Sequence, residues 1–164
     1  MPTIQEFLQE LDHEATTTRR VLERVPEDRF DWRPHHKSMS LGQLADHIAR
    51  IPLRIAGIAK EAGFDAANIT PPGSPASAEE LLATFDSSLA GARNTIGSMS
   101  DADLAGIWRM TRDGKELMAM ARGAVLRNIL FNHWYHHRGQ LTVYLRLNDV
   151  PLPSVYGPTA DLRV

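Results

Sequence analysis

The sequence contains no cysteine. Disulfides, cysteine-ligated zinc ribbons, iron–sulfur clusters and a thiol nucleophile from the chain itself are therefore excluded, and any thiol chemistry must borrow its thiol from outside. An excess of charge is missing too: 18 Lys and Arg against 20 Asp and Glu give a formal net charge of -2. The basic field that a phosphate backbone demands is absent, and no nucleic-acid partner is expected. Long hydrophobic runs are also lacking. The most apolar stretches, 48–59 and 118–124, are interrupted by Arg50, Arg54 and Arg122, well short of the roughly 20 residues that cross a membrane. The opening segment, Met1-Pro2-Thr3-Ile4-Gln5-Glu6-Phe7, is acidic and amphipathic rather than basic and then apolar. It does not read as a secretion signal, and a cytoplasmic location is expected.

What is present is a chain of 164 residues with 43% hydrophobic and 23% charged residues, the composition of one globular domain over 1–164 with a core to bury. Three helix starts share one signature. Thr3-x-x-Glu6, Ser40-x-x-Gln43 and Ser77-x-x-Glu80 each place a hydroxyl three residues before a side chain able to complete a capping box. Apolar residues at three- and four-residue spacing then predict helices from Ile4 to Val25, from Leu41 to about Ala62, and from Ala78 to about Met99. Pro52 is expected to kink the second. Ser100-Asp101 reads as the cap of a short turn, and 63–77, rich in proline, reads as a long connection. Asp113-Gly114, within 107–120, fits either a small hairpin or an excursion between helices. The longest run, about Ala121 to Leu147, ends at Asn148-Asp149-Val150-Pro151. The expected fold is all-α, a four-helix bundle with a long crossover connection, the class that builds metal sites from inward-facing side chains. The tail 153–158 is expected to pack down as a lid or brace.

Three of the seven histidines, His133, His136 and His137, fall within five residues of the fourth helix. On a helix His133 and His137 differ by about 40° in azimuth and one turn in height, so both imidazoles can reach one cation; the 133/136 pair, about 60° apart, is less well aligned. A third ligand must come from another element. His47 is the candidate, because a neutral imidazole inside the apolar stripe of the second helix needs a partner to offset its desolvation. Bland readings stand beside these. A lone His47 can be a core histidine bonded to a carbonyl, and an H-x-x-x-H pair without the Glu of H-E-x-x-H recurs by chance. His13, His35 and His36 read as solvated surface, and Trp32 and Trp108 as core or pocket walls.

The segments Ser40-Leu41-Gly42-Gln43-Leu44-Ala45-Asp46-His47-Ile48, Asn132-His133-Trp134-Tyr135-His136-His137-Arg138-Gly139-Gln140-Leu141 and Val155-Tyr156-Gly157-Pro158 closely resemble the DinB superfamily, nearly end to end. That resemblance implies a metal-binding four-helix bundle, with YfiT-like metal-dependent hydrolases and thiol-dependent transferases and isomerases among its members. Carried over, it implies a divalent ion, nickel or zinc, held by His47, His133 and His137, and a homodimer joined through the first and third or neighbouring helices. It implies no particular substrate, and no catalytic residue is assigned.

Such a metal could hold a low-molecular-weight thiol (bacillithiol, mycothiol or glutathione) as thiolate for S-transfer to an electrophile, or make hydroxide from water. Asp46, the carboxylate beside the histidines in sequence, points about 100° from His47 on an ideal helix, which favours the thiol over the hydrolase. A non-catalytic dimeric metal- or ligand-binding module is the remaining alternative. Arg138 is expected in a helix-to-helix ion pair and Gln140 in a hydrogen bond behind a ligand. Gly139 is expected where another element or a partner subunit approaches closely, and Tyr156 where the tail partly closes the pocket.

Overall fold

The computed structural model describes residues 2–162. Helix α1 spans Ile4–Leu22, α2 Leu41–Lys60, α3 Ala78–Gly97 and the short α4 Asp101–Leu104. Capping boxes close at Thr3/Glu6, Ser40/Gln43 and Ser100/Asp103, so each of these helices starts where its hydroxyl satisfies an otherwise orphaned amide. Ser77 caps α3, but the Glu80 carboxylate accepts from the Ala76 amide instead of completing the box. The last run begins with α5, Arg122–Val125, widens into a π-helical stretch at Leu126–Asn132, and continues as α6, His133–Leu147. The four long helical segments share one core, to which Phe7, Ile48, Phe85 and Trp134 belong. Among the described residues no helix is long and apolar enough to cross a membrane.

The all-α expectation holds for most of the chain and fails in one place, a three-stranded sheet in the order β1 (Gly63–Asp65), β2 (Ile107–Arg112), β3 (Lys115–Ala121). Strands β2 and β3 are the hairpin alternative, turning at Asp113 and Gly114, whose φ values of 51° and 75° match the tight turn that suits a twisted ribbon. Strand β1 went unread because three residues carry no periodicity. It lies parallel to β2, with Gly63 opposite Arg109. A methyl group at Gly63 would stand 2.4 Å from the Arg109 carbonyl oxygen, so only glycine allows this approach. The sheet closes the end of α2: Trp108 Nε1 donates to the Ile58 carbonyl at 3.0 Å, and Arg122 Nε to the Ala59 carbonyl at 2.6 Å, satisfying oxygens that a helix terminus leaves over.

Pro52 lies inside α2 and has no amide hydrogen, so the Ile48 carbonyl four residues earlier lacks its helical partner. Trp134 supplies one: its indole Nε1 donates to Ile48 O at 3.1 Å in a fully buried bond. The next amide, Leu53, donates to Ser88 Oγ on α3 at 3.1 Å. The gap in one helix thus becomes a joint with two others.

Replacing Trp134 by Phe leaves the Ile48 oxygen buried without a donor and is expected to lower the free energy of unfolding by about 1–3 kcal/mol. In a Pro52→Ala background, where a restored backbone amide can donate to the Ile48 carbonyl, that loss should shrink. A double-mutant cycle by urea denaturation measures the coupling, and additive losses would refute the joint.

Candidate metal centre

The joint brings His47, one residue before Ile48, against His133, one residue before Trp134. Their Nε2 atoms are 3.4 Å apart, and His137 Nε2, one turn along α6, is 2.8 Å from His133 Nε2. The three rings each offer a nitrogen, all within 4.8 Å of one another, close to the separation of about 3.3 Å between two imidazoles on one tetrahedral zinc. His137 Nδ1 lies 2.7 Å from Gln140 Oε1. If it carries the proton and donates there, the Nε2 lone pair is left facing the cluster.

With Gln140 Oε1 turned towards His137, hydrogen bonds alone do not satisfy this arrangement. With that tautomer His137 Nε2 is an acceptor, and His133 must protonate its own Nε2 to meet it. Its Nδ1, buried and without a hydrogen-bond partner, would then be an orphaned acceptor. With the proton on Nδ1 instead, the nearby Ile129 carbonyl favours it, but two lone pairs face each other across 2.8 Å. A cation among the three nitrogens removes the conflict, and the donor set fits one. Burial, with repulsion from the neighbouring imidazoles, pushes His47 and His133 down to about 4. Burial lowers His137 as well. The rings are therefore neutral at physiological pH, the state in which they can ligate.

His47 and His133 form part of the wall of a chamber of about 450 Å³, whose apolar lining includes Ile51, Ile55, Phe64 and Trp108. The segment 70–72, from the long connection, closes one side. A polar cleft of about 250 Å³ reaches His47 from the side of Asp46 and Ser74. A third cleft, about 610 Å³ between α2 and α3, has no histidine in its wall.

His13, His35, His36 and His136 are exposed, and none joins the cluster. Asp46 is buried, with both oxygens 2.8 Å from Arg50 Nε. Arg138 makes the expected ion pair, 2.7 Å from Glu14 and buried on both sides. One expectation is narrowed and one corrected. Nothing lies within 4 Å of where a Gly139 side chain would project, so no element among the described residues approaches there, which leaves the partner-subunit alternative. Tyr156 is absent from the chamber wall, because its hydroxyl donates to Glu14 Oε2 and accepts from Arg138; the tail is a brace and 70–72 is the cover. Trp108 of β2 stands in the chamber wall, one of the two places expected for it; sequence reasoning missed Phe64 of β1 and Met110 of β2, which carry no chemical signature, and Arg54. Arg54 had one: it lies seven residues, two helical turns, after His47.

A profile of the DinB superfamily matches residues 10–141. The chain belongs to the DinB superfamily. Among solved structures it is similar to a DinB-like protein from Bacillus cereus ATCC 10987, at 24% identity and a TM-score of 0.72 over 94% of this chain and 98% of that one. It is also similar to a DinB-like protein from Bacillus subtilis, at 19% identity and a TM-score of 0.68 over 96% and 99%. No curated protein matches the sequence. At these identities the DinB-like structures establish the fold and leave the chemistry to be argued from the site.

In this DinB-superfamily chain the histidines also set a pH dependence. The unfolded metal-free chain takes up imidazole protons near 6.5, whereas folded His47 and His133 resist until about 4. Stability that is fully present above 6.5 is therefore lost progressively as pH falls towards 4. Urea midpoints of metal-free protein between about pH 8 and pH 4.5 should show this decline, and the double variant His47→Gln/His133→Gln should flatten it.

Proposed function

We propose that this chain is a metal-dependent enzyme of the cytoplasm, in which His47, His133 and His137 hold nickel or zinc and a low-molecular-weight thiol is activated for S-transfer to an electrophile. The observation that carries this reading is the convergence of three imidazole nitrogens, one ring with an unsatisfied buried nitrogen, on an apolar chamber. Imidazole donors suit these borderline ions. When bound, such an ion supplies Lewis acidity, lowering the pKa of a thiol or a water molecule that reaches it.

The chain's own residues favour the thiol. Among the described residues the chamber wall contains no carboxylate, and Asp46 is committed to Arg50, so a general base for water is not at hand. Without cysteine the protein cannot form a mixed disulfide with its own thiol substrate. Trp108 and Phe64 keep the chamber apolar, and a thiolate stripped of water is the stronger nucleophile. Gln140 holds His137 so that Nε2 keeps its direction.

The same proposal takes residues 1–164 as one domain and its four long helical segments as a four-helix bundle. It takes the assembly as a homodimer, through α1 and α3 or neighbouring helices. Val143 and Leu147, each 57% exposed one turn apart on α6, and the unapproached Gly139 mark apolar surface left over for a partner. Sedimentation should give a dimer at micromolar concentration, and a monomer at high micromolar concentration would remove this part.

Elemental analysis and titration calorimetry with zinc and nickel test the site. His137→Ala should keep the helix, since alanine is the better helix former, while weakening metal affinity at least about tenfold. The loaded protein is then assayed with bacillithiol, mycothiol and glutathione, each with a generic electrophile, and with an ester. Thiol turnover supports the reading, ester turnover alone makes the protein a hydrolase, and metal binding without either makes it a non-catalytic metal- or ligand-binding module.

A further inference from the structure

The apolar chamber carries an unusual charge distribution. Besides His47 and His133, its titratable wall residues are Arg50 and Arg54, and among the described residues no acid lines it. Arg50 is committed through Nε to Asp46. Arg54 is different: half-buried on α2, it has no carboxylate within 4 Å among the described residues. Its charge is felt at His47, where it disfavours protonation. Two carboxylates share a cleft wall with Arg54 outside the chamber: Asp46 is paired with Arg50, and Glu80 already accepts from the Ala76 amide at 2.7 Å.

Arg54 also stands where the three cavities meet. Together with Arg50 and Thr70 it lines the apolar chamber, the polar cleft beside His47 and the outer cleft towards α3. A guanidinium at the boundary between an apolar chamber and open polar space binds the charged end of a molecule whose hydrocarbon end lies inside. The reach is also set: seven residues of α2 separate Arg54 from His47, about 10 Å along the helix axis. A molecule with its anionic end at Arg54 can therefore extend its body past Ile51 and Ile55 to the histidines.

We propose that Arg54 is a specificity-determining residue that binds the carboxylate of an amphipathic substrate, whose apolar body fills the chamber beside the histidine cluster. This deepens the enzymatic reading above and rests on it for the word substrate, but the binding itself requires no metal. The carboxylate can belong to the electrophile or to the thiol.

The test uses full-length, metal-free protein at about pH 8, where the imidazoles are neutral and no ion can take the carboxylate. Octanoate and octanol are titrated while tryptophan fluorescence is followed, Trp108 being in the chamber wall, with calorimetry as a second readout. Octanoate should bind at least about tenfold tighter than octanol. Arg54→Gln should abolish that preference and leave octanol binding unchanged, and Arg54→Lys should restore part of it. Arg54 has no ion pair among the described residues, so the variants should fold, which circular dichroism checks. Equal binding of the two probes by the wild type, or a preference that survives Arg54→Gln, overturns the proposal. Failure of zinc and nickel binding with the octanoate preference intact would instead sink the metal reading. Repeating the titration with S-methylated glutathione, a carboxylate of thiol origin that cannot form a thiolate, assigns the source: Arg54-dependent binding points to the thiol, and its absence to the electrophile.

Discussion

One hydrogen bond fixes the geometry on which everything else depends. Pro52 leaves the Ile48 oxygen without a donor, and Trp134 fills the gap from another helix. Because His47 adjoins Ile48 and His133 adjoins Trp134, the bond that repairs a backbone defect also sets the distance between two imidazoles. A side-chain salt bridge on the surface could not do this, since long exposed side chains hold their ends loosely and gain little. An indole bonded to a carbonyl inside a packed core has no such freedom. The π-helical stretch just before His133 belongs to the same constraint: local widening of a helix re-aims the residues that follow it and recurs at functional sites.

The cluster is costly to the fold. Three half-buried imidazoles crowd one another, and one buried nitrogen goes without a partner. Such local conflict is stored where the surrounding structure over-determines it, here by the core that contains Trp134 and Ile48 on either side. The sheet contributes from the opposite direction. It terminates α2 by satisfying the carbonyls of Ile58 and Ala59, and in doing so it places Trp108 in the chamber wall.

Much of this was legible in the sequence because it rests on local rules. Capping boxes announced three helices, and two of them close as boxes in the structure; at the third, Glu80 accepts from the Ala76 amide instead. The H-x-x-x-H spacing announced which histidines share a face. What local rules cannot carry is pairing at long range. Strand β1 exists because β2, far along the chain, gives it a parallel partner, and nothing within 63–65 encodes that. The role of Tyr156 was similarly hidden. Its hydroxyl is held by Glu14 and Arg138, from α1 and α6, so the aromatic ring of a loop became a structural brace.

That brace closes the molecule on itself. Arg138 is 1% exposed, stacked between the rings of Tyr135 and Tyr156, and shares Glu14 with the latter's hydroxyl. Glu14 and Tyr156 are 142 positions apart, among the longest separations that any bond in this fold must bridge. During synthesis the guanidinium site is therefore incomplete until residue 156 has been made, however early α1, α2 and α3 assemble. Folding from the N-terminus can prepare the histidine helix, but its packing is finished only when the tail closes and Tyr156 covers Arg138.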